Sequence, residues 1–130
     1  MNSKKSIQSP LGRAKGLGST HEGVHHWMAE RVSAVTSLGL MIWLVWAMVN
    51  MQDWSYAAFT SWLAQPVNAF LMILTIISTF YHAAFGTQVI LEDYVHNEAW
   101  KIIQVTGLKL AFLALALASI FAILKISFGG

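Results

Sequence analysis

Polar and apolar positions in this chain are gathered into blocks. From Val32 to Met51 there are twenty residues without a charged side chain, about the number an α-helix needs to cross a hydrocarbon core of roughly 30 Å. Asp53 follows, and then no Lys, Arg, Asp or Glu appears from Trp54 to Leu91. Pro66 divides that second stretch, and proline suits the first turn of a helix but disrupts its interior. The residues after it read as a second span over 67–91. A third apolar run, Leu110–Leu124, has fifteen residues bracketed by Lys109 and Lys125. Both lysines can lay their stems along the helix and keep their ammonium groups at the interfaces, so the span extends to roughly 20 residues, 105–126. The pattern predicts an all-α integral membrane protein with three transmembrane helices, at about 32–51, 67–91 and 105–126. These lie in an anchor domain over 24–130, preceded by a tail over 1–23.

Composition agrees with this pattern. Of 130 residues, 56% are hydrophobic and 11% charged, where a soluble domain carries about 25% charged residues. Disorder requires low hydrophobicity and high charge, so it is excluded for the chain as a whole. The absence of cysteine excludes a disulfide scaffold, thiolate zinc sites, iron–sulfur ligation and thiol nucleophiles.

The position of the few charges sets an orientation. Lys4, Lys5, Arg13, Lys15 and Arg31 place five of the eight basic residues before the first span. The Met51–Pro66 connection carries none, and the Glu92–Lys109 connection carries Lys101 and Lys109. Basic residues favour the inner side, so the N-terminus and the second connection are expected in the cytoplasm, with Lys125 as an exception. Trp54, Tyr56, Phe59 and Trp62 fall in the outer connection, at headgroup depth. That segment reads either as a short interfacial helix or as a loop with an aromatic anchor. In the tail, Ser6–Thr20 is polar, rich in glycine and interrupted by Pro10, so no signal-peptide core follows Lys4 and Lys5. It reads as a disordered cytoplasmic segment or as one that docks on a cytoplasmic partner. Nothing in the chain points to nucleic acid.

His82 stands nine residues before Leu91, about 14 Å deep and close to the bilayer midplane. An imidazole there has lost water and needs a partner, which makes it a functional candidate. A hydrogen bond to a neighbouring helix would also satisfy it. Gly86, Val89 and Asp93 follow at i+4, i+7 and i+11 on one helical face. Glycine one turn away leaves room for a flat macrocycle, or for close helix packing. Imidazole is a good axial ligand for haem iron. A low-spin haem needs a second ligand on its opposite face, and His21, His25, His26 and His96 all lie outside the spans as drawn. A bis-histidine site on His82 would therefore take its other ligand from another chain.

Two further groups are candidates. Tyr94, about 18 Å along the axis from His82, sits at the interface, where its phenol can donate to a quinone carbonyl. Asp93 beside it can orient the phenol or relay a proton. The same pair reads as an aromatic-belt tyrosine on a solvated helix end. Arg31 opens the first span, with His25 two turns earlier on nearly the same side. Cations there could pair with haem propionates, and Arg31 reads equally as a positive-inside anchor.

Three spans, His25-x5-Arg31 before the first, and His82-x3-Gly86-x6-Asp93-Tyr94 through the second resemble the D-type hydrophobic anchor of succinate dehydrogenase over roughly residues 24–126. The resemblance implies that His82 is one axial ligand of haem b and that a histidine of a C-type sister anchor is the other. It implies Tyr94 and Asp93 at a ubiquinone site, and Arg31 and His25 near the haem propionates. The helical bundle would then be completed by the sister anchor. A flavoprotein and an iron–sulfur subunit would supply electrons from succinate, since this cysteine-free chain can hold neither flavin nor clusters. The isolated chain would not be catalytic. The expected location is a bacterial cytoplasmic membrane, or the mitochondrial inner membrane in a eukaryote. A fumarate reductase anchor, a purely structural anchor or assembly subunit, and a small proton-conducting subunit using His82 as a relay are the alternatives. The last is weakened by spans that hold only Ser, Thr, Gln and Asn as other polar groups.

Overall fold

The computed structural model describes residues 21–129, so the tail expected over 1–23 lies almost wholly outside the described residues. Four helices follow in order: α1 (His21–Val49), α2 (Tyr56–Leu63), α3 (Pro66–Tyr94) and α4 (Glu98–Ser127). Helices α1, α3 and α4 have 29, 29 and 30 residues and are apolar enough to cross a membrane. At 1.5 Å per residue each is about 44 Å long, more than a hydrocarbon core of about 30 Å. Each must tilt or carry polar turns into the headgroup layer. The chain is a multi-pass membrane protein.

The long helices outrun the charge-free stretches, mostly at one end. Helix α1 begins at His21 and includes His25, His26, Glu30 and Arg31. The segment Met28-Ala29-Glu30-Arg31 consists of good helix formers with no proline to stop it. Helix α3 continues through Glu92 and Asp93 to Tyr94, with Gln88 Nε2 donating to Glu92 Oε1 at 2.6 Å. Helix α4 starts where Asn97 Oδ1 accepts the Trp100 amide at 3.2 Å. Glu98 sits in its first turn and pairs with Lys101 at 3.0 Å, on the side of the helix dipole that favours a carboxylate.

At the opposite end, the outer connection folds as the short helix α2. Asp53 Oδ1 accepts the Ser55 amide at 2.9 Å, and its Oδ2 accepts the Ser55 hydroxyl at 2.7 Å. The Ser55 oxygen in turn accepts the Ala58 amide at 3.2 Å, capping α2. These two donors hold the Asp53 carboxyl below its ordinary pKa, the Ser55 hydroxyl contributing most. Gln65 then leads into Pro66 at the start of α3, while Asn68 Nδ2 donates back to the Trp62 carbonyl at 2.9 Å.

Helix α3 is central. It packs on α1, on α4 and on α2, whereas α1 and α4 do not touch among the described residues. The long helices therefore form an open row, α1–α3–α4. Leu63, Ala69 and Ile123 form its small core at the Asp53 end, with Phe59, Trp62, Met72, Ile73, Ile76 and Ile126 packed around them. Large side chains such as Val35, Leu38, Leu117 and Phe121 remain exposed. In water such a surface would drive association. In lipid it needs no cover, because the helices satisfy their own backbone groups.

Candidate functional site

Antiparallel packing of α1 on α3 sets the surroundings of His82. The Ser33 hydroxyl lies 3.2 Å from His82 Nδ1, and one turn further on both helices Ser37 and Ser78 meet oxygen to oxygen at 2.8 Å. Towards the Tyr94 end the His26 and Phe85 rings meet edge to face at 4.8 Å, and Tyr81 meets Phe85 at 4.6 Å. These contacts share one register between the two helices. Ser33 is 7% exposed, and Ser33 and Thr75 are the buried polar residues among those described. Thr79 Oγ1, one turn before His82, is buried with no hydrogen-bond partner among the described residues.

His82 itself is partly buried, twelve residues from the end of α3 at Tyr94, or about 18 Å along the axis. Only its Nδ1 is engaged; Nε2 makes no hydrogen bond among the described residues. One turn on, a Cβ built on Gly86 would meet nothing within 4 Å. A donor nitrogen without a partner and clear space beside it suit a flat group approaching from outside the chain. No cluster of three or more metal-ligating side chains occurs among the described residues.

Among the described residues, no other histidine reaches the level of His82. His25 and His26 are on α1 rather than before it. His26 precedes Ser33 by seven residues, which puts it about 10 Å along the axis from the His82 level. His96 lies between α3 and α4.

Arg31 and His25 share an end of α1 but not a face. Six residues at 100° each leave them about 120° apart, so the expected alignment on nearly the same side does not hold. Arg31 is exposed and its guanidinium stands over the Trp27 ring at 5.4 Å, a cation–π contact one turn along the helix. Two residues from Ser33, it points well away from the face that meets α3.

Tyr94 is 78% exposed and lines a cleft of about 390 Å³ with Val95, His96, Asn97, Trp100 and Gln104. The chain thus brings the last residue of α3 together with the connection and the first turns of α4. Asp93 is exposed and does not line this cleft. Its neighbour on the sequence is turned by about 100° on a helix. Ser33, His96, Trp100 and Gln104 are the neighbours of these candidates that sequence reasoning did not single out. A serine in an apolar span carries no signal until the residue opposite it is known.

Comparison with known proteins agrees with this architecture. Residues 5–126 match the family described as succinate dehydrogenase/fumarate reductase transmembrane subunit. A succinate dehydrogenase hydrophobic membrane anchor subunit of Rickettsia bellii is 27% identical over 117 residues, covering 90% of this chain and 94% of the relative. The same subunit of Paracoccus denitrificans is 26% identical over 121 residues, 93% of each chain. That of Rickettsia conorii is 28% identical over 90 residues, 68% of this chain and 71% of the relative.

Proposed function

Since the chain belongs to the succinate dehydrogenase/fumarate reductase transmembrane subunit family, we propose that it shares a haem b with a C-type sister anchor and contributes to a ubiquinone-reduction site. Family membership already makes it a membrane anchor subunit that associates with other subunits of such a complex. The finer reading adds a flavoprotein and an iron–sulfur subunit docked at the Tyr94 end, which faces the cytoplasm. The concentration of basic residues before the first span supports that orientation.

One observation carries the haem assignment. An imidazole in the middle of a membrane span has one nitrogen tied to Ser33 and the other without a partner, beside the clear space at Gly86. His82 Nε2 would hold the haem iron, with a further ligand coming from the sister chain. Bound haem supplies a one-electron carrier. Arg31, exposed near the Tyr94 end, offers a guanidinium to a propionate on leaving Trp27, and His25 stands further out on the same helix.

Quinone reduction consumes two electrons and two protons. The electrons come from succinate oxidation through the iron–sulfur partner. In the cleft, the Tyr94 hydroxyl donates to a quinone carbonyl, Trp100 gives an apolar wall, and the open mouth admits water to replace the protons. Asp93 acts from outside the cleft, as a charge near the phenol.

A reduced-minus-oxidised spectrum of the purified complex tests the reading. A b-type band is expected in the wild type and lost in His82→Ala. No band, or a band unchanged by the substitution, overturns ligation by His82.

A further inference from the structure

We infer that Ser33 is a positioning residue for His82, selecting the tautomer that leaves Nε2 as the free electron-pair donor. The inference rests on the proposed haem role of His82 and concerns how this chain prepares that nitrogen.

The argument is an accounting of protons. A serine hydroxyl has one hydrogen to give and two lone pairs. Ser33 Oγ lies 2.8 Å from the Glu30 carbonyl oxygen and 3.2 Å from His82 Nδ1. A carbonyl oxygen can only accept, and 2.8 Å is the usual length of an O–H···O bond. The hydroxyl proton therefore belongs to Glu30, and the Ser33 oxygen accepts from Nδ1–H. The 3.2 Å separation suits a neutral N–H···O bond. A neutral imidazole protonated at Nδ1 has its lone pair at Nε2, across the ring from Ser33.

Three features keep the arrangement in place. Ser33 is buried, so water does not compete for its oxygen. The Ser37–Ser78 bond fixes the register of α1 on α3 one turn away, so Ser33 stays opposite His82. Phe85, against His26 and Tyr81, closes the next layer towards the Tyr94 end. An imidazole that donates its second N–H to an oxygen is a more basic ligand and is held at a fixed ring angle. Ser33 should therefore stabilise the ferric state and lower the midpoint potential of the haem.

The experiment uses the assembled complex carrying wild-type, Ser33→Ala, Ser33→Thr or His82→Ala chains. Haem content, the potentiometric midpoint of the b-type band and the low-spin electron paramagnetic resonance signal are measured. Ser33→Ala is expected to raise the midpoint and move the low-spin signal, and Ser33→Thr, which keeps a hydroxyl, to restore both. If Ser33→Ala loses haem, retention in Ser33→Thr supports the inference equally. Haem retained in Ser33→Ala with an unchanged midpoint and signal overturns it. A defect of equal size in Ser33→Thr also overturns it, because the side chain would then act by packing. A missing wild-type band, or one indifferent to His82→Ala, defeats the haem reading itself and is distinguishable from both.

Discussion

The hydroxyls of Ser37 and Ser78 meet at 2.8 Å between α1 and α3, one turn from the contact of Ser33 with His82. A polar bond between two spans has no water to compete with it, yet such bonds average only about 0.6 kcal/mol and reach about 1.7 at most. Their value here is register. A double-mutant cycle on Ser37→Ala and Ser78→Ala should give a coupling of about 0.6 kcal/mol by denaturation in detergent. The double variant should also show a haem signal broader than that of either single variant, as the register loosens around His82.

Gly86 separates an internal constraint from an external one. An alanine Cβ there meets nothing within 4 Å among the described residues, and replacing a mid-helix glycine should stabilise the isolated helix by roughly 0.5–1 kcal/mol. In the complex the opposite is expected. Gly86→Leu should leave the helical circular dichroism intact and lower haem content several-fold, with Gly86→Ala in between. Full haem in Gly86→Leu would show that the space is not used.

With Tyr94 donating to a quinone carbonyl as proposed, Tyr94→Phe should lower succinate–quinone turnover about tenfold, equivalent to about 1.4 kcal/mol. Succinate oxidation by an artificial dye should not change. Trp100→Ala should impair quinone turnover as well, whereas Asp93→Asn should have the smallest effect, since Asp93 lies outside the cleft. Steady-state assays with both acceptors check the order.

At the other end, Ser55→Ala removes the cap of α2 and should destabilise it by about 1 kcal/mol, seen as faster deuterium exchange at its first amides. Asp53 carries a pH signature of the same turn. Its carboxyl is held below the ordinary value of 3.8 by the Ser55 hydroxyl and amide. A carboxyl with a lowered folded pKa stabilises fully above its unfolded value and loses that contribution as pH falls through the folded one. Protection of the α2 amides, taken relative to their intrinsic exchange rate at each pH, should thus be insensitive to Asp53 at neutral pH and fall only below about pH 4. Asp53→Asn should abolish that acid-side change.

Much of this was legible in the sequence because membranes penalise charge so strongly. The charge-free stretches place α1, α3 and α4, and Pro66 marks a helix start, since few other arrangements satisfy the backbone in lipid. His82 stands out for the same reason. Ser33 does not, because a hydroxyl in a span can satisfy itself on its own helix, as Thr75 does on the Leu71 carbonyl at 2.7 Å. Its role depends on a partner 49 positions away, which only the packing of two helices reveals. The Tyr94 cleft was half visible for a similar reason. Adjacency in sequence points to Asp93, and the turn of the helix and the return of the chain set His96, Trp100 and Gln104 beside Tyr94.

The open row α1–α3–α4 has a bearing on how the subunit is made. A row leaves the faces of its helices open, so nothing in the chain must unfold for a cofactor or a neighbouring helix to reach the middle of α3 through the lipid. The same openness leaves a chain without partners as an unfinished object, with an imidazole and a glycine notch turned to the bilayer. A copy of this subunit without neighbours therefore exposes to lipid polar groups whose cover an assembled complex would supply.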